Sequence, residues 1–381
     1  MNYHSHGGDQ LMKLLVASDI HLTNYNAFNE EISGQLQTGS RLECLLGALS
    51  YFFCYGRDHG IMYYVINGDL FDKRQRDNPA TLAYIRAWLA SCAINLPKDA
   101  KVYFNVGNHD ELGRDVYPNS LVDLPYLDSR FVVINKVQSF DLNDGSNLFF
   151  VPYTENVEQS KKDIKESIKY MKGPTTVFAH TGVEGGVQGR WQHRLEGAYS
   201  LSDLGYDQPN VKAVILGHYH NRYFIKKQPK PAWYVGDLLG LSFNDLNKDG
   251  SGADRGFDEI DTLTGKHTFI NLSKLYPTFN QFDYDESKVS AYQELAKDNY
   301  LKLVFSDNDT LSEFMGGPYK EFNQAHVQLS ISPAKTSENA LDEELEHNAS
   351  DYELVKSYCE DKYPEVTKSA LNYLMKARES D

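Results

Sequence analysis

Apolar positions in the first two-thirds of the chain fall in short unbroken runs, each ending abruptly in polar or glycine residues. The runs "KLLVAS" (13–18), "IMYYVI" (61–66), "KVYFNV" (101–106), "TTVFA" (175–179) and "VKAVIL" (211–216) read as strands, the last rich enough in β-branched residues for a fully buried one. Helices are expected at 40–58, at 79–95 with Asn78 as cap and Pro79 in the first turn, and at 155–172. This alternation predicts an α/β fold with a layered sheet. From 222 to 271, "RYFIKK", "AWYVGD" and "KHTFINL" follow without long helices, which predicts a second sheet packed on the first. The polar, irregular stretch 272–298 reads as a domain boundary. Beyond it, "YLKLVFS" and "AHVQLSIS" flank a helix near 309–316, the makings of a small α+β domain. The tail from 340 is acidic and carries two amphipathic helices separated near Pro364, suited equally to packing on their own domain and to docking a partner. The expected organisation is an N-terminal extension or tag at 1–11, a catalytic domain at 12–275, the small domain at 276–335 and C-terminal helices at 336–381.

Composition narrows the class. A chain of 381 residues with 41% hydrophobic content has the material for a large core and excludes a disordered protein. No apolar stretch approaches the ~18 residues of a membrane span, and the opening "MNYHSHGGDQLMKLL" lacks the basic flank and apolar core of a signal peptide. A cytoplasmic protein is expected, with no membrane partner. Cys44, Cys54, Cys92 and Cys359 form no CxxC pair and read as reduced thiols. The net charge of −15 disfavours a generic electrostatic grip on nucleic acid. It does not exclude a nuclease, because bound cations invert the local potential and a basic partner subunit can hold the duplex.

The chemistry sits behind the strands. After the successive runs come Asp19 and His21, then "NGDLFD" with Asp69 and Asp72, then "GNHD" at 107–110, then His180, then "GHYH" with His218 and His220. Carboxyl ends of strands are where open α/β sheets build their sites. Gly217 is expected to let the chain turn sharply, and two histidines one residue apart in an extended segment face the same way, toward one point. Taken singly, each residue fits a turn, a cap or a satisfied core position equally well; jointly they do not. Carboxylates, imidazoles and one amide suit Mn²⁺, Fe or Zn²⁺, and the lack of thiolates argues against a closed structural zinc site. About seven or eight donors exceed the needs of one ion, whereas two ions about 3.5–4 Å apart, bridged by a carboxylate, use them all.

In order and spacing, "DIHL", "GDLFD", "GNHD", the lone His180 and "GHYH" resemble the calcineurin-like metallophosphoesterases over residues 13–240. The resemblance implies a two-sheet layered core flanked by helices. It also implies that Asp19, His21 and His220 hold one metal, that Asn108, His180 and His218 hold the other, and that Asp69 bridges them. The implied cofactors are two divalent ions, Mn²⁺ first, with Mg²⁺, Fe and Zn²⁺ as alternatives; they would acidify a shared water and neutralise the phosphodiester oxygens. His109 is then the catalytic non-ligand beside the scissile phosphate, with Asp110 a catalytic candidate for orienting its ring.

Further stretches resemble SbcD-type DNA repair nucleases and related phage recombination endonuclease subunits. These are "GDLFD" followed by Lys73, Arg74 and Arg76, then "WYVGDLLGLSFND", and "ADRGFDEID" at 253–261. Here Asp237 stands where those proteins usually carry a hydroxyl. Asp72 stands where archaeal and eukaryotic relatives carry histidine and bacterial and phage members often carry aspartate. The resemblance implies a DNA exonuclease and endonuclease of recombination, repair or replication, acting on double- and single-stranded ends. The implied assembly is a homodimer within a heterotetramer with an SbcC-like ABC-type coiled-coil ATPase. No GxxxxGK[ST] occurs in this chain, so such an ATPase is a separate subunit. Candidates for DNA contact are Lys73, Arg74, Arg76, Arg114, Arg190, His193 and Arg194, with Trp191 and Tyr117 for base stacking. The alternatives on the same fold are a phosphatase or small-molecule phosphodiesterase, and a silent scaffold for the ATPase.

Overall fold

A computed structural model describes residues 12–30, 32, 38–72, 79–112, 118–188, 193–194 and 197–332. The expectations for 1–11 and for the C-terminal helices lie outside the described residues.

The first sheet contains β1 (Lys13–Ala17), β2 (Tyr63–Asn67), β3 (Lys101–Asn105) and β4 (Phe131–Ile134). The second contains β5 (Gln138–Asp141), β6 (Asn147–Val151) and β7 (Thr175–His180), the last followed by a small hairpin of β8 (Val187–Gln188) and β9 (His193–Arg194). Next along the chain come β10 (Val211–Gly217), β11 (Tyr223–Lys226) and β12 (Ala232–Tyr234), then β13 (Gly256–Asp261) and β14 (His267–Asn271). The first six-stranded sheet runs β14-β13-β1-β2-β3-β4 and the second β11-β12-β10-β7-β6-β5. The first is parallel from β1 to β4 with an antiparallel edge at β13 and β14, and the second has a parallel centre with antiparallel pairs at both edges.

Two expectations need correction. The five motif-bearing strands are divided between the sheets, β1, β2 and β3 in one and β7 and β10 in the other. The pieces between 222 and 271 form no sheet of their own: β11 and β12 extend the second sheet, while β14 extends the first through β13.

Side-chain alternation explains the unbroken apolar runs. Leu14, Val16, Val65, Tyr103, Phe150, Phe178, Ala213, Ile215 and Trp233 fill one core between the sheets. Their neighbours Leu15, Ala17, Tyr64, Ile66, Val102 and Phe104 face outward into a second core with α1 (Ser40–Asp58) and α2 (Pro79–Ile94). Phe149, Val151, Val177, Ala179, Val214 and Leu216 form a third on the far side, with Ile164 and Ile168 of a flanking helix. With both faces buried, polar alternation has no place, and parallel strands become continuous hydrophobic runs. Truncating a ring such as Phe150, stacked on Phe178 at 5.1 Å, would cost about 3–5 kcal/mol.

The remaining helices are α3 (Leu124–Leu127), α4 (Val157–Ile168), α5 (Val289–Asp298) and α6 (Asn308–Gly316). Asn156 caps α4 by accepting from Gln159 N at 3.3 Å. The polar stretch expected to be irregular contains α5 and β15 (Phe279–Asp283), which pairs in parallel with β16 (Tyr300–Phe305) in a three-stranded sheet completed by β17 (Val327–Ile331). One compact unit comprises the described residues to Val304 together with Ser312–Ser330. A second includes, among the described residues, Phe305–Leu311, Ile331 and Ser332, with a bond from Ser332 N to Phe305 O at 2.7 Å. Cys44, Cys54 and Cys92 are free thiols. No described helix is long and apolar enough to cross a membrane.

Candidate metal centre

Buried amides bring the strand ends together. Asn67, the last residue of β2, donates from Nδ2 to the carbonyls of Ala179 and Ile215 in the opposite sheet at 3.1 and 3.2 Å. Asn105, ending β3, donates to Asn67 Oδ1 and across to the Val151 carbonyl at 3.0 and 3.1 Å. These side chains stitch the two sheets where both expose their carboxyl ends. The close approach explains two glycines. A Cβ on Gly217 would lie 2.2 Å from Ser18 Oγ and 2.4 Å from the Asn67 carbonyl oxygen, so its role is clearance rather than the expected sharp turn. Gly68 has a φ of 96°, and a Cβ there would meet His180 Nδ1 at 1.9 Å.

From this seam the polar residues project. Asp19, His21, Asp69 and His218 all have positive φ (49°, 53°, 53° and 102°), a region costly for non-glycine residues and concentrated at functional sites. Ladder-like bonds fix them: the Asp69 carbonyl accepts from Ile20 N at 2.9 Å and His21 N at 3.0 Å, and the Asp19 carboxylate accepts from His218 N at 3.0 Å.

Three overlapping groups have ligand atoms within 4.8 Å of one another: Asp19, His21 and His220; His21, Asp69 and His109; Asp19, Asp69 and His180. Asn108 joins them, its Oδ1 lying 3.2 Å from His180 Nε2 and 2.8 Å from His218 Nδ1. Asp69 faces both sides, with Oδ2 3.2 Å from His180 Nε2 and 3.8 Å from His21 Nε2. All seven residues expected as ligands therefore meet. The two histidines of "GHYH" do not turn to one point, however. His218 reaches Asn108, whereas the His220 ring lies 5.1 Å from that of His21.

The residues fit divalent cations. Donors sharing an octahedral ion at about 2.1 Å stand about 3 Å apart, close to the spacings among His180, Asn108, His218 and Asp69. His21 Nε2 is buried without a hydrogen-bond partner. The His180 Nδ1–H donates to the Asn67 carbonyl at 2.7 Å, which leaves Nε2 as the nitrogen facing the acids. Burial opposes protonation of His180, but Asp69 and Asp19 outweigh it and push its pKa up to about 9. Burial would raise the Asp69 carboxyl, yet His180, His21 and His109 hold it well below the usual carboxylate range. Burial and the neighbouring His180 bring His218 down to about 4, keeping that ring a neutral donor.

His109 lies at the mouth, its side chain 37% exposed. Its backbone N–H donates to Asp69 Oδ1 at 2.8 Å, and its Nδ1–H donates to the Asp72 carbonyl, directing Nε2 elsewhere. Asp110 does not orient that ring. Its carboxylate accepts from the backbone amides of Asp69, Gly107 and Phe71 at 2.9, 3.0 and 3.2 Å, so it holds the loops that carry Asp69 and Asn108. Burial and the adjacent Asp69 charge push its pKa up to about 7.

Sequence reasoning gave no role at the centre to Asn67 and Asn105, whose signal was an amide ending an otherwise apolar run, nor to Asp237 and Arg255. Arg255, 3% exposed, donates to the His220 carbonyl and to Asn221 Oδ1, clamping the last motif loop. Among the DNA-contact candidates, Lys73, Arg74, Arg76, Arg114 and Arg190 lie outside the described residues, as do Trp191 and Tyr117; of His193 and Arg194 only the backbone pairing is described.

A comparison with curated protein sequences finds no match. Among solved structures, the chain is similar to a dimetal phosphatase from Danio rerio (12% identity, TM-score 0.44, covering 68% of this chain and 96% of that one). It is also similar to an archaeal phosphodiesterase (13%, 0.34, 68% and 100%). A third similarity is to GAP50, the anchor in the inner membrane complex of Plasmodium (13%, 0.43, 86% and 98%). The sequence model of the calcineurin-like phosphoesterases matches residues 12–222, more than half of the 381, and the chain belongs to that family.

Proposed function

We propose that this phosphoesterase is a metal-dependent nuclease that cleaves DNA phosphodiester bonds, the catalytic subunit of an SbcCD-like complex with a separate coiled-coil ATPase. The observation that carries the hydrolytic reading is the convergence of Asp19, His21, Asp69, Asn108, His180, His218 and His220 beneath a half-buried His109. The DNA reading rests on the resemblance of "GDLFD", of Tyr234–Asp237 and of the Arg255-Gly256-Phe257 segment to the repair nucleases.

Asp19, His21, Asp69 and His220 would hold one cation, and Asp69, Asn108, His180 and His218 the other. When bound, two divalent ions, Mn²⁺ first, supply acidified water and neutralise charge on the phosphoester oxygens. The chain's own residues do the rest. Asp69 spans the two positions, and Asp110 fixes its loop through backbone amides. His109, held at Nδ1 by the Asp72 carbonyl, presents Nε2 to a departing sugar oxygen and protonates it there. Such general-acid help is worth about 10²–10⁴-fold and matters most for a poor leaving group such as an alkoxide.

The test is nucleotide release from end-labelled linear duplex DNA by the purified chain with Mn²⁺, beside an EDTA control, His109→Ala and a simple phosphomonoester. Release abolished by EDTA and lowered at least about 100-fold by the substitution is the expected result. Rapid monoester hydrolysis with DNA untouched would replace the nuclease with a phosphatase. Silence on both substrates, persisting after addition of an ATPase partner, would leave a scaffold.

A further inference from the structure

The two cation positions are supported differently. On the side of Asp19, His21 and His220, each imidazole has a carboxylate behind it. His21 Nδ1 lies 3.4 Å from Asp72 Oδ1, and His220 Nδ1 lies 3.7 Å from Oδ2 of Asp237, which is fully buried. On the side of Asn108, His180 and His218, the support is neutral. His180 donates to a peptide carbonyl, and the His218 ring stacks on Tyr153 with centroids 5.9 Å apart. The ligands differ in the same sense, since Asp19 is an anion and Asn108 an amide, while Asp69 is common to both.

Asp237 is well placed for such a role. Its backbone N–H donates to the His220 carbonyl at 2.9 Å, the same carbonyl clamped by Arg255, and its backbone bridges to Ser18 beside Asp19. The residue is thus fixed relative to both neighbouring ligands. A carboxylate facing Nδ1 selects the tautomer with the proton on Nδ1, turns Nε2 toward the ion and raises the basicity of that nitrogen.

We infer that Asp237 is a positioning residue for His220. Together with Asp72 behind His21, it makes the Asp19/His21/His220 position the tighter of two unequal cation sites. This rests on the two-cation reading above. It explains an acidic residue at 237, where the resembling nucleases usually carry a hydroxyl: a hydroxyl orients a ring, whereas a carboxylate also adds charge.

The experiment is calorimetric titration of EDTA-stripped full-length protein with Mn²⁺, repeated for Asp237→Asn and Asp72→Asn, with thermal melting in EDTA to follow folding. The native chain is expected to take up two equivalents in two affinity classes. Asp237→Asn is expected to weaken the tight class about 10–100-fold and leave the weak class within about threefold, at unchanged stoichiometry. Asp72→Asn, whose side chain is 25% exposed, is expected to weaken the same class by a smaller factor and keeps the test open should the buried substitution fail to fold. Two indistinguishable classes in the native chain would overturn the inference, as would equal weakening of both classes, no change, or loss of a whole equivalent. No Mn²⁺ uptake by the native chain would instead sink the two-cation reading itself.

Discussion

The two sheets contribute to the centre by different means. Strand ends of the first sheet supply Asp19, His21 and Asp69 from turns bent into positive φ and closed by backbone bonds to Asp69 and Leu70, and Asn108 and His109 from the loop after β3. The second sheet supplies His180 as the last residue of a regular strand, and His218 and His220 from the loop after β10. Strained backbone carries Asp19, His21 and Asp69 of the first sheet, and His218 of the second shares it at a φ of 102°, at a cost of about 1–3 kcal/mol for each unfavourable residue. In the second, His180 keeps ordinary geometry and is aimed by a hydrogen bond to Asn67 across the seam. The acids are therefore placed by their own loops, and this imidazole by the opposite sheet.

Asp69 belongs to both arrangements, so its replacement has the largest expected effect. Asp69→Asn removes a carboxylate charge that faces His180 and His21 together. It is expected to lower phosphoesterase turnover at least about 10³-fold, several kcal/mol of lost transition-state stabilisation, and to weaken uptake of both cations. Steady-state kinetics with parallel metal titration checks it; loss confined to one cation would mean that Asp69 does not span the pair.

Asp110→Asn acts on the first sheet alone. An amide cannot accept from all three backbone N–H groups that the carboxylate now satisfies. Turnover is expected to fall about 10–100-fold through displaced loops, with the DNA-free fold retained by circular dichroism. A change in KM alone would place Asp110 in substrate binding instead.

Asn67→Ala acts on the seam. It removes the Asn67 amide donor from the Ala179 and Ile215 carbonyls while sparing the peptide carbonyl that holds His180. The expected cost is about 2–4 kcal/mol in denaturant unfolding, with cation affinity changed far less. Affinity lost at full stability would show that stitching is not what positions the second sheet's ligands.

How much of this could be read from the sequence follows from the same physics. The strands ending at Ala17, Asn67, Asn105, His180 and Gly217 were legible because burial on both faces writes a continuous apolar run. Helix α1 matches the expected 40–58, and the ligand residues stood out because polar groups followed each run at once. Sheet membership was not legible. A strand buried on both faces carries no mark of which neighbour it pairs with, so β7 and β10 could not be assigned to a second sheet. The short strand Gln138–Asp141 shows no apolar run at all. Asp110 and Asp237 act through partners far along the chain, and nothing near them in sequence announces Asp69 or His220.

The smallest expected effect tests where the sheets touch most closely. The Ser18 hydroxyl is fully buried and has one proton for two acceptors, the Asp19 carboxylate and the Asn67 carbonyl. Both acceptors have another donor: Asp19 accepts from His218 N at 3.0 Å, and the Asn67 carbonyl accepts from His180 Nδ1 at 2.7 Å. Ser18→Ala therefore strands neither of them, and the methyl group replaces a hydroxyl of similar size. A net loss of about 1 kcal/mol is expected, a fall in Tm of about 2 °C, with kcat/KM within about threefold. A loss as large as that of Asn67→Ala would mean that the hydroxyl, not the buried amide, joins the sheets, and would move the seam from the end of β2 to the end of β1.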